Sequence, residues 1–244
     1  MSYKLSICLP AMRTELWENF YQSAKASIGN EYSWEMIMIG PHDPPDSFAQ
    51  RKNFKFLKDY GSPARCGQLS TTIAEGELMM WGSDDGLFIE GALKKCIEKH
   101  DALPRKDVIA LKYTEGHNYS GVPMHPDYWT AHHHPPLRVT AKNYKICIVG
   151  MFKLDYFREI GGWDCRFEHL NMNSHDLAFR VQRDGGVIHE SDIYVSIHDW
   201  NPNPHEGDHI AVQEAFEQND NALFQTIYQI ENSRPIRIDY HNWV

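Results

Sequence analysis

The first third of the chain alternates between short apolar runs and amphipathic stretches, and this alternation constrains the fold most strongly. The predicted strands are 4–9, 34–39, 54–57 and 77–82, and the predicted helices are 14–28 and 63–76. A strand, a helix and a second strand in succession favour a right-handed parallel crossover. The pattern therefore predicts an α/β fold in which ligands bind at the carboxyl ends of the strands.

Three polar segments follow these predicted strands, at Pro10–Arg13, Pro41–Asp43 and Ser83–Gly86. The carboxyl ends of parallel strands meet at one edge of a sheet, so we expect the three segments to lie side by side. This edge is the predicted ligand-binding edge.

The remaining chain continues with elements of both kinds and contains one long loop. The predicted elements are a helix at 88–99, strands at 108–113 and 145–152, a turn at 161–164, a helix at 174–183, an extended segment at 187–197 and a helix at 210–230. The histidine- and proline-rich loop at 114–143 is long enough to be a functional lid or binding loop. No linker is evident, so we predict one domain over 1–244, with a ligand-binding half at 1–100 and a second half at 101–244.

Composition excludes several classes of protein. With 24 Lys+Arg and 33 Asp+Glu the net charge is −9, which is not typical of a nucleic-acid-binding protein. No apolar stretch is long enough for a transmembrane segment, and the N-terminus does not resemble a secretory signal. We therefore expect a cytoplasmic protein with reduced cysteines, and peripheral contact with a membrane stays open.

The acidic pair Asp84-Asp85 follows a predicted strand and precedes a predicted helix. Either residue could simply cap the helix. At the carboxyl edge of a parallel sheet, however, paired carboxylates also suit Mg²⁺ or Mn²⁺ shared with a diphosphate. Both interpretations stay open on the sequence alone.

A second motif runs from Gly161-Gly162-Trp163-Asp164 through Glu168 to His175-Asp176. One interpretation is a glycine turn and a helix in which Asp176 pairs with Arg180 four residues later. The other is that Asp176, Glu168 or His175 supplies a general base at the edge of the sheet.

The combination of these motifs resembles a glycosyltransferase of the GT-A fold, closest to the family 2 type. The resemblance rests on motifs in the family's order across most of residues 4–200. They are the strand ending in Pro10, the run Ala74-Glu75-Gly76-Glu77, the acidic pair, Gly161-Gly162-Trp163-Asp164 with Phe167-Glu168, and Asp176-Leu177-Ala178 with Arg180. It implies a mixed, mainly parallel sheet flanked by helices in a single domain.

The resemblance also implies a nucleoside-diphosphate-sugar donor and a glycan or lipid-linked glycan acceptor. The donor-binding residues it implies are Pro10, Arg13, Pro41, Asp43, Arg65, Gln68, Ser83 and Asp84. The Mn²⁺ or Mg²⁺ ligands it implies are Asp85, Asp84 and a late histidine, His198. Since the chain has 14 histidines, His198 could equally be an ordinary histidine at the end of a strand.

The chain departs from the family pattern at three places. Gly40-Pro41-His42-Asp43 stands where the second strand usually ends in acids that contact the nucleobase, so the base is not assigned. Gly82 replaces the first acid of the Asp-x-Asp motif, and the catalytic Glu-Asp pair is reduced to the single acid Asp176. For an inverting transfer, which the resemblance favours, Asp176 is the first candidate base, followed by Glu168 and then a neutral His175.

Aromatic and polar residues of the second half are candidates for acceptor binding, because flat rings suit the apolar faces of sugars. The predicted residues are Trp163, Asp164, Tyr113 and Trp129. The same rings could instead pack the long loop against the domain.

Two other functions remain as alternatives to a metal-dependent glycosyltransferase. A non-catalytic carbohydrate-binding protein on a decayed transferase fold would explain the altered motifs. A metal-dependent hydrolase would normally show spacings such as His-x-His or His-Glu-x-x-His, and neither occurs.

Overall fold

The computed structural model describes residues 3–115, 131–133, 145–198, 209–230 and 234–243. Its strands are β1 (Tyr3–Pro10), β2 (Trp34–Gly40), β3 (Phe54–Lys58), β4 (Gly76–Trp81), β5 (Gly86–Phe88), β6 (Val108–Glu115), β7 (Ala131–His133), β8 (Lys145–Cys147), β9 (Gly150–Lys153) and β10 (Ile188–His198). Its α-helices are α1 (Trp17–Ile28), α2 (Pro63–Thr72), α3 (Ala92–Asp101), α4 (Leu154–Glu159), α5 (Leu170–Arg183), α6 (His209–Ala215) and α7 (Asn221–Gln225).

Eight of these strands form one mixed sheet in the order β3-β2-β1-β4-β9-β6-β10-β5. Pairing is parallel from β3 through β2 and β1 to β4, and again between β6 and β10. It is antiparallel on both sides of β9 and between β10 and β5. The predicted single-domain α/β fold with a mainly parallel sheet is thereby confirmed.

The sheet is covered by helices on both faces, which explains the continuous apolar runs of its central strands. One face of β1 and β2, with Ile7 and Met36, packs with α1 and α3 in one core cluster. The opposite face, with Cys8 and Ile37, packs with α2, α4 and α5 in a second cluster. Successive strand residues point to opposite faces, so each of these strands contributes to both cores.

Several element boundaries differ from the sequence prediction. The helix predicted at 14–28 begins at Trp17, and the helix predicted at 63–76 ends at Thr72, with Gly76 already in β4. The helix predicted from Phe88 begins at Ala92, because Gly86–Phe88 pairs with β10 and Gly91 turns the chain at φ +69°. The strand predicted at 145–152 is divided into β8 and β9, and α5 begins four residues before the predicted Ser174.

The predicted C-terminal helix is present as one continuous run of helical segments. Alpha-helical α6 and α7 are each followed by a π-helical turn, at Phe216–Asp220 and Thr226–Ile230. Most of the predicted 114–143 loop lies outside the described residues, although β7 within it pairs with β8. Among the described residues, no helix has the length and apolar character required to cross a membrane.

Candidate functional site

The carboxyl ends of β1 and β2 meet closely at the predicted ligand-binding edge. The amide of Ala11, just after β1, donates to the Ile39 carbonyl at 2.9 Å. A Cβ atom at Gly40 would lie 1.8 Å from the Ala11 carbonyl oxygen. Gly40 therefore permits this contact by having no side chain, and the last residue of β2 offers no side chain to a ligand.

Asp84 fixes the loop that follows β1. Its Oδ2 accepts hydrogen bonds from the Met12 and Arg13 amides at 2.7 Å each and from Trp17 Nε1 at 3.1 Å. Its Oδ1 accepts from the Arg13 guanidinium at 2.5 Å, and the residue is only 2% exposed. Both oxygens of Asp84 already face N–H donors and a positive charge, which does not support the predicted metal-ligand role for this residue.

Asp85 is the half-buried member of the acidic pair, and the strand register brings it near His198. Gly86, the next residue, is the antiparallel partner of His198 in the β5–β10 pairing. The backbone thus brings a carboxylate and an imidazole residue to adjacent positions, and this donor set suits a divalent cation. The side chain of His198 lies outside the described part, within which no cluster of three metal-ligating residues occurs.

The other predicted donor-binding residues lie along the same edge, but several are engaged in other contacts. Pro10, Pro41 and Ser83 are half-buried at strand ends. Asp43 is exposed and forms an ion pair with Lys58 at 2.7 Å. Arg65 forms an ion pair with Asp59 at 3.0 Å and also donates to the Trp243 carbonyl, so its guanidinium is shared between two protein groups.

Gln68 is fully buried and holds the Gly161-Gly162 turn in place. Its Nε2 donates to the carbonyls of Gly161 at 3.2 Å and Tyr240 at 2.8 Å, while its Oε1 accepts from the Trp163 amide at 2.9 Å. The predicted donor-binding role of Gln68 is therefore not supported, because its amide group is used inside the protein.

Trp163 is likewise a core residue rather than an exposed sugar-binding platform. It is 0% exposed and packs edge-on against Trp81 and Phe157, with ring centroids 5.1 Å and 4.9 Å away. A sugar ring cannot stack on it in this conformation. Tyr113 is also buried, at 6% exposure, and Trp129 lies outside the described residues.

Asp164 and Asp176 form a buried ionic cluster with Arg180 and Arg234. The guanidinium of Arg234 binds both carboxylates, with nitrogen–oxygen distances of 2.7 Å to Asp176 and 2.8 Å to Asp164. Arg180 binds Asp176 at 2.8 Å, and Tyr228 donates a further hydrogen bond to it. Asp164 also accepts from the more exposed Arg166.

The electrostatics of this cluster keep its acids ionised. Burial would raise the pKa of Asp176, but the charges of Arg180 and Arg234 outweigh burial and lower it. The pKa of Asp164 is lowered in the same way, against burial, by Arg166 and Arg234. Because Asp176 is 0% exposed and its oxygens are occupied, a substrate hydroxyl cannot reach it here, which does not support its predicted role as general base.

Glu168 and His175, the two other candidate bases, differ in accessibility. Glu168 is exposed, and among the described residues no side chain bonds to its carboxylate. Its backbone carbonyl accepts from the Ala64 amide at 3.1 Å, in the first turn of α2. His175 is 7% exposed and lies edge-on to Phe224, so it belongs to the packing between α5 and the C-terminal helix.

The carbonyl of Ile148 joins the end of β4 to α5. It accepts hydrogen bonds from Trp81 Nε1 at 2.8 Å and from Ser174 Oγ at 3.4 Å. Since Trp81 precedes the acidic pair and Ser174 lies five residues into α5, the start of α5 lies beside the same edge as Asp85. The two predicted motifs thus belong to one region.

Sequence reasoning missed two contributors to this region, Gly40 and Arg234. Gly40 follows an apolar strand directly, and this position could have indicated a close backbone approach. Arg234 carries no sequence signal, because its partners lie 58 and more residues earlier in the chain.

The sequence matches no protein-family profile and no curated protein. Solved structures, in contrast, match over most of the chain. Staphylococcus aureus TarS 1–349 in complex with UDP has a TM-score of 0.58 at 16% identity, covering 93% of this chain and 67% of that one. The same TarS fragment with UDP-GlcNAc has a TM-score of 0.56 at 16% identity, covering 93% and 68%.

GalNAc-T7 with UDP, GalNAc and Mn²⁺ also matches, with a TM-score of 0.55 at 10% identity. The match covers 82% of this chain and 44% of that one, so this chain corresponds to less than half of the GalNAc-T7 chain. These similar structures are GT-A glycosyltransferases. The chain therefore has the GT-A glycosyltransferase fold that its motifs predict.

Proposed function

We propose that this protein is a nucleotide-sugar-dependent glycosyltransferase, with UDP-sugars as the first donors to test. The observation that carries the proposal is the position of Asp85, in the loop after β4 and directly before Gly86, which is the register partner of His198. In similar structures UDP or UDP-GlcNAc is bound to the same fold. A diphosphate would lie along this edge, where Arg13 contributes a positive charge.

Asp85 and His198 are the residues that would hold a divalent cation. When bound, the cation would neutralise charge on the leaving diphosphate as a Lewis acid. Asp84 serves a different purpose, because it ties the loop after β1 to the loop that carries Asp85. In this proposal one acid of the pair binds the metal and the other fixes the position of the surrounding backbone.

Glu168 takes the role of general base in this proposal. An inverting transfer needs an accessible carboxylate that accepts the proton of the acceptor hydroxyl as it attacks the anomeric carbon. Glu168 is exposed, whereas Asp176 is buried among two arginines and a tyrosine. The acceptor is a glycan hydroxyl, free or lipid-linked, and it would approach from the side of α5.

A non-catalytic carbohydrate-binding protein remains the second candidate. It is favoured by the burial of Asp176, because Asp176 is the single acid that this motif keeps of the family's catalytic pair. Such a protein would bind a nucleotide-sugar or a glycan without transferring the sugar. Turnover therefore distinguishes the two candidates.

The test is UDP binding by calorimetry with and without Mn²⁺, followed by UDP-sugar hydrolysis without acceptor. We expect Mn²⁺-dependent binding, and in thermal unfolding UDP at 100 times its Kd should stabilise the protein by about 2.7 kcal/mol. In Asp85→Asn the Mn²⁺-dependent affinity should fall about tenfold or more, because a ligand carboxylate is lost.

Asp192→Asn is the matched control, because Asp192 is an exposed aspartate paired with Lys99. It should bind UDP as the wild type does. Absence of UDP binding in the wild type would contradict a UDP-sugar donor. Binding without any turnover would favour the carbohydrate-binding candidate.

A further inference from the structure

The carboxylate of Asp220 accepts hydrogen bonds from two backbone amides, those of Glu168 and His169. Its Oδ1 accepts from the Glu168 amide at 2.9 Å, and its Oδ2 accepts from the His169 amide at 3.0 Å. Asp220 is 1% exposed, although it comes from the C-terminal helix 52 residues later in the chain. Hydrogen bonds from two amides to one buried carboxylate are charge-assisted, and they are stronger than bonds between neutral groups.

A second residue of the same turn strengthens this contact. Asn219 Nδ2 donates to the Arg166 carbonyl and to Asp220 Oδ1, at 2.9 Å each. Asn219 and Asp220 are the last two residues of the π-helical turn Phe216–Asp220. Such turns are rare in α-helices, and those that occur are often found at functional sites. Together the two residues hold three positions of the backbone between the glycine turn and α5.

The C-terminal helix that carries Asp220 is itself anchored on α5. Phe224, Ile227 and Tyr228 pack with Phe167 and Phe179 in a separate buried cluster. Phe167 immediately precedes Glu168, so the same packing that seats the helix also seats the residue before the base. The position of Asp220 relative to Glu168 is therefore set by one apolar cluster that includes Phe167, next to Glu168, and residues of the helix that carries Asp220.

Glu168 is thus fixed through its backbone while its side chain stays exposed. Its amide is bound by Asp220, and its carbonyl accepts from Ala64 at the start of α2. A fixed backbone with an exposed side chain suits a group that reacts with a substrate atom, since a misplacement of about 1 Å can lower the rate about 10²-fold.

We propose that Asp220 is a positioning residue for Glu168 in the transfer reaction. This inference rests on the proposed function, with Glu168 as its general base. Asp220 does not touch the substrate, and it acts by holding the backbone from which the Glu168 side chain projects. The C-terminal helix is then a working part of the active site, although the sequence motifs of the site end at Arg180.

The experiment is a double-mutant cycle measured on UDP-sugar turnover. Asp220→Ala should lower kcat about tenfold or more, with the Kd for UDP and Mn²⁺ unchanged. In a Glu168→Gln background the same change should lower kcat less than about twofold, because a positioning residue acts only through the group it positions. Asp220→Asn, which keeps an acceptor oxygen, should recover part of the activity and serves if the alanine variant does not fold.

Glu217→Gln is the matched control, because Glu217 is an exposed acid of the same π-helical turn. Its carboxylate accepts a hydrogen bond from Gln213. It should leave kcat unchanged. The inference is overturned if Asp220→Ala lowers kcat equally in both backgrounds, if kcat does not change, or if UDP affinity falls to the same extent. A wild-type protein that binds UDP but has no turnover would instead overturn the proposed function, on which the inference depends.

Discussion

The Asp84 carboxylate accepts hydrogen bonds from the Arg13 amide at 2.7 Å and from the Arg13 guanidinium at 2.5 Å. These bonds join the loop after β1 to the loop after β4. Asp84→Ala would leave the Met12 and Arg13 amides without this acceptor. We expect it to lower the free energy of unfolding by about 2–4 kcal/mol, measured by urea denaturation. Asp43→Ala, which removes an exposed ion pair with Lys58, should change stability little. Equal effects of the two changes would contradict this role of Asp84.

Gly40→Ala tests the close approach of β2 to the loop after β1. The new Cβ would lie 1.8 Å from the Ala11 carbonyl oxygen, so the backbone must move. We expect a loss of about 2–3 kcal/mol in unfolding free energy, together with weaker UDP binding. Gly82→Ala is the control at the same edge, because its Cβ would meet only Phe20, at 3.9 Å. A stable Gly40→Ala variant with normal UDP affinity would be evidence against the close contact.

His100 makes stability depend on pH. It is 0% exposed at the end of α3, and burial, helped by the charge of Lys153, lowers its pKa from 6.5 to about 4. The folded state therefore favours the neutral ring, and stability is lost as the pH falls from the unfolded pKa of 6.5 towards 4. The full loss is about 3 kcal/mol. Urea denaturation at several pH values should show it, and His100→Leu should remove this component of the pH dependence while the carboxylate component remains.

Asp176→Asn separates a structural role from a catalytic one. Removing the charge leaves Arg180 and Arg234 buried without their main partner, so we expect a loss of about 3–5 kcal/mol in unfolding free energy. If Glu168 is the base, the folded fraction of Asp176→Asn should keep its kcat within a few fold. A fall of about 10²-fold or more in well-folded protein would return the role of general base to Asp176.

Glu168→Gln is the complementary variant. It removes an exposed carboxylate that bonds to no other described side chain, so unfolding free energy should hardly change. Transfer to an acceptor should fall about 10²- to 10⁴-fold while the Kd for UDP stays the same, because only proton transfer is affected. A variant with wild-type turnover would show that another group accepts the proton.

The sequence by itself determined the parallel α/β arrangement at the start of the chain and the edge on which the acidic pair lies. Both follow from local periodicity, since the continuous apolar runs of β1, β2 and β4 can be buried only in a sheet covered on both faces. The position of Asp85 at that edge follows from the strand and turn signals close to it in the chain.

Only the tertiary structure decided what each polar residue does there. Asp84, Gln68 and Asp176 are of residue types that suit ligand binding or catalysis, yet each is occupied by protein groups from distant parts of the chain. Arg234 meets Asp176 across 58 residues, and Asp220 meets Glu168 across 52. Whether a side chain can bind a ligand depends on its burial and on the protein groups that it already contacts. When those groups lie more than 50 residues away in the chain, local sequence patterns cannot predict the contact.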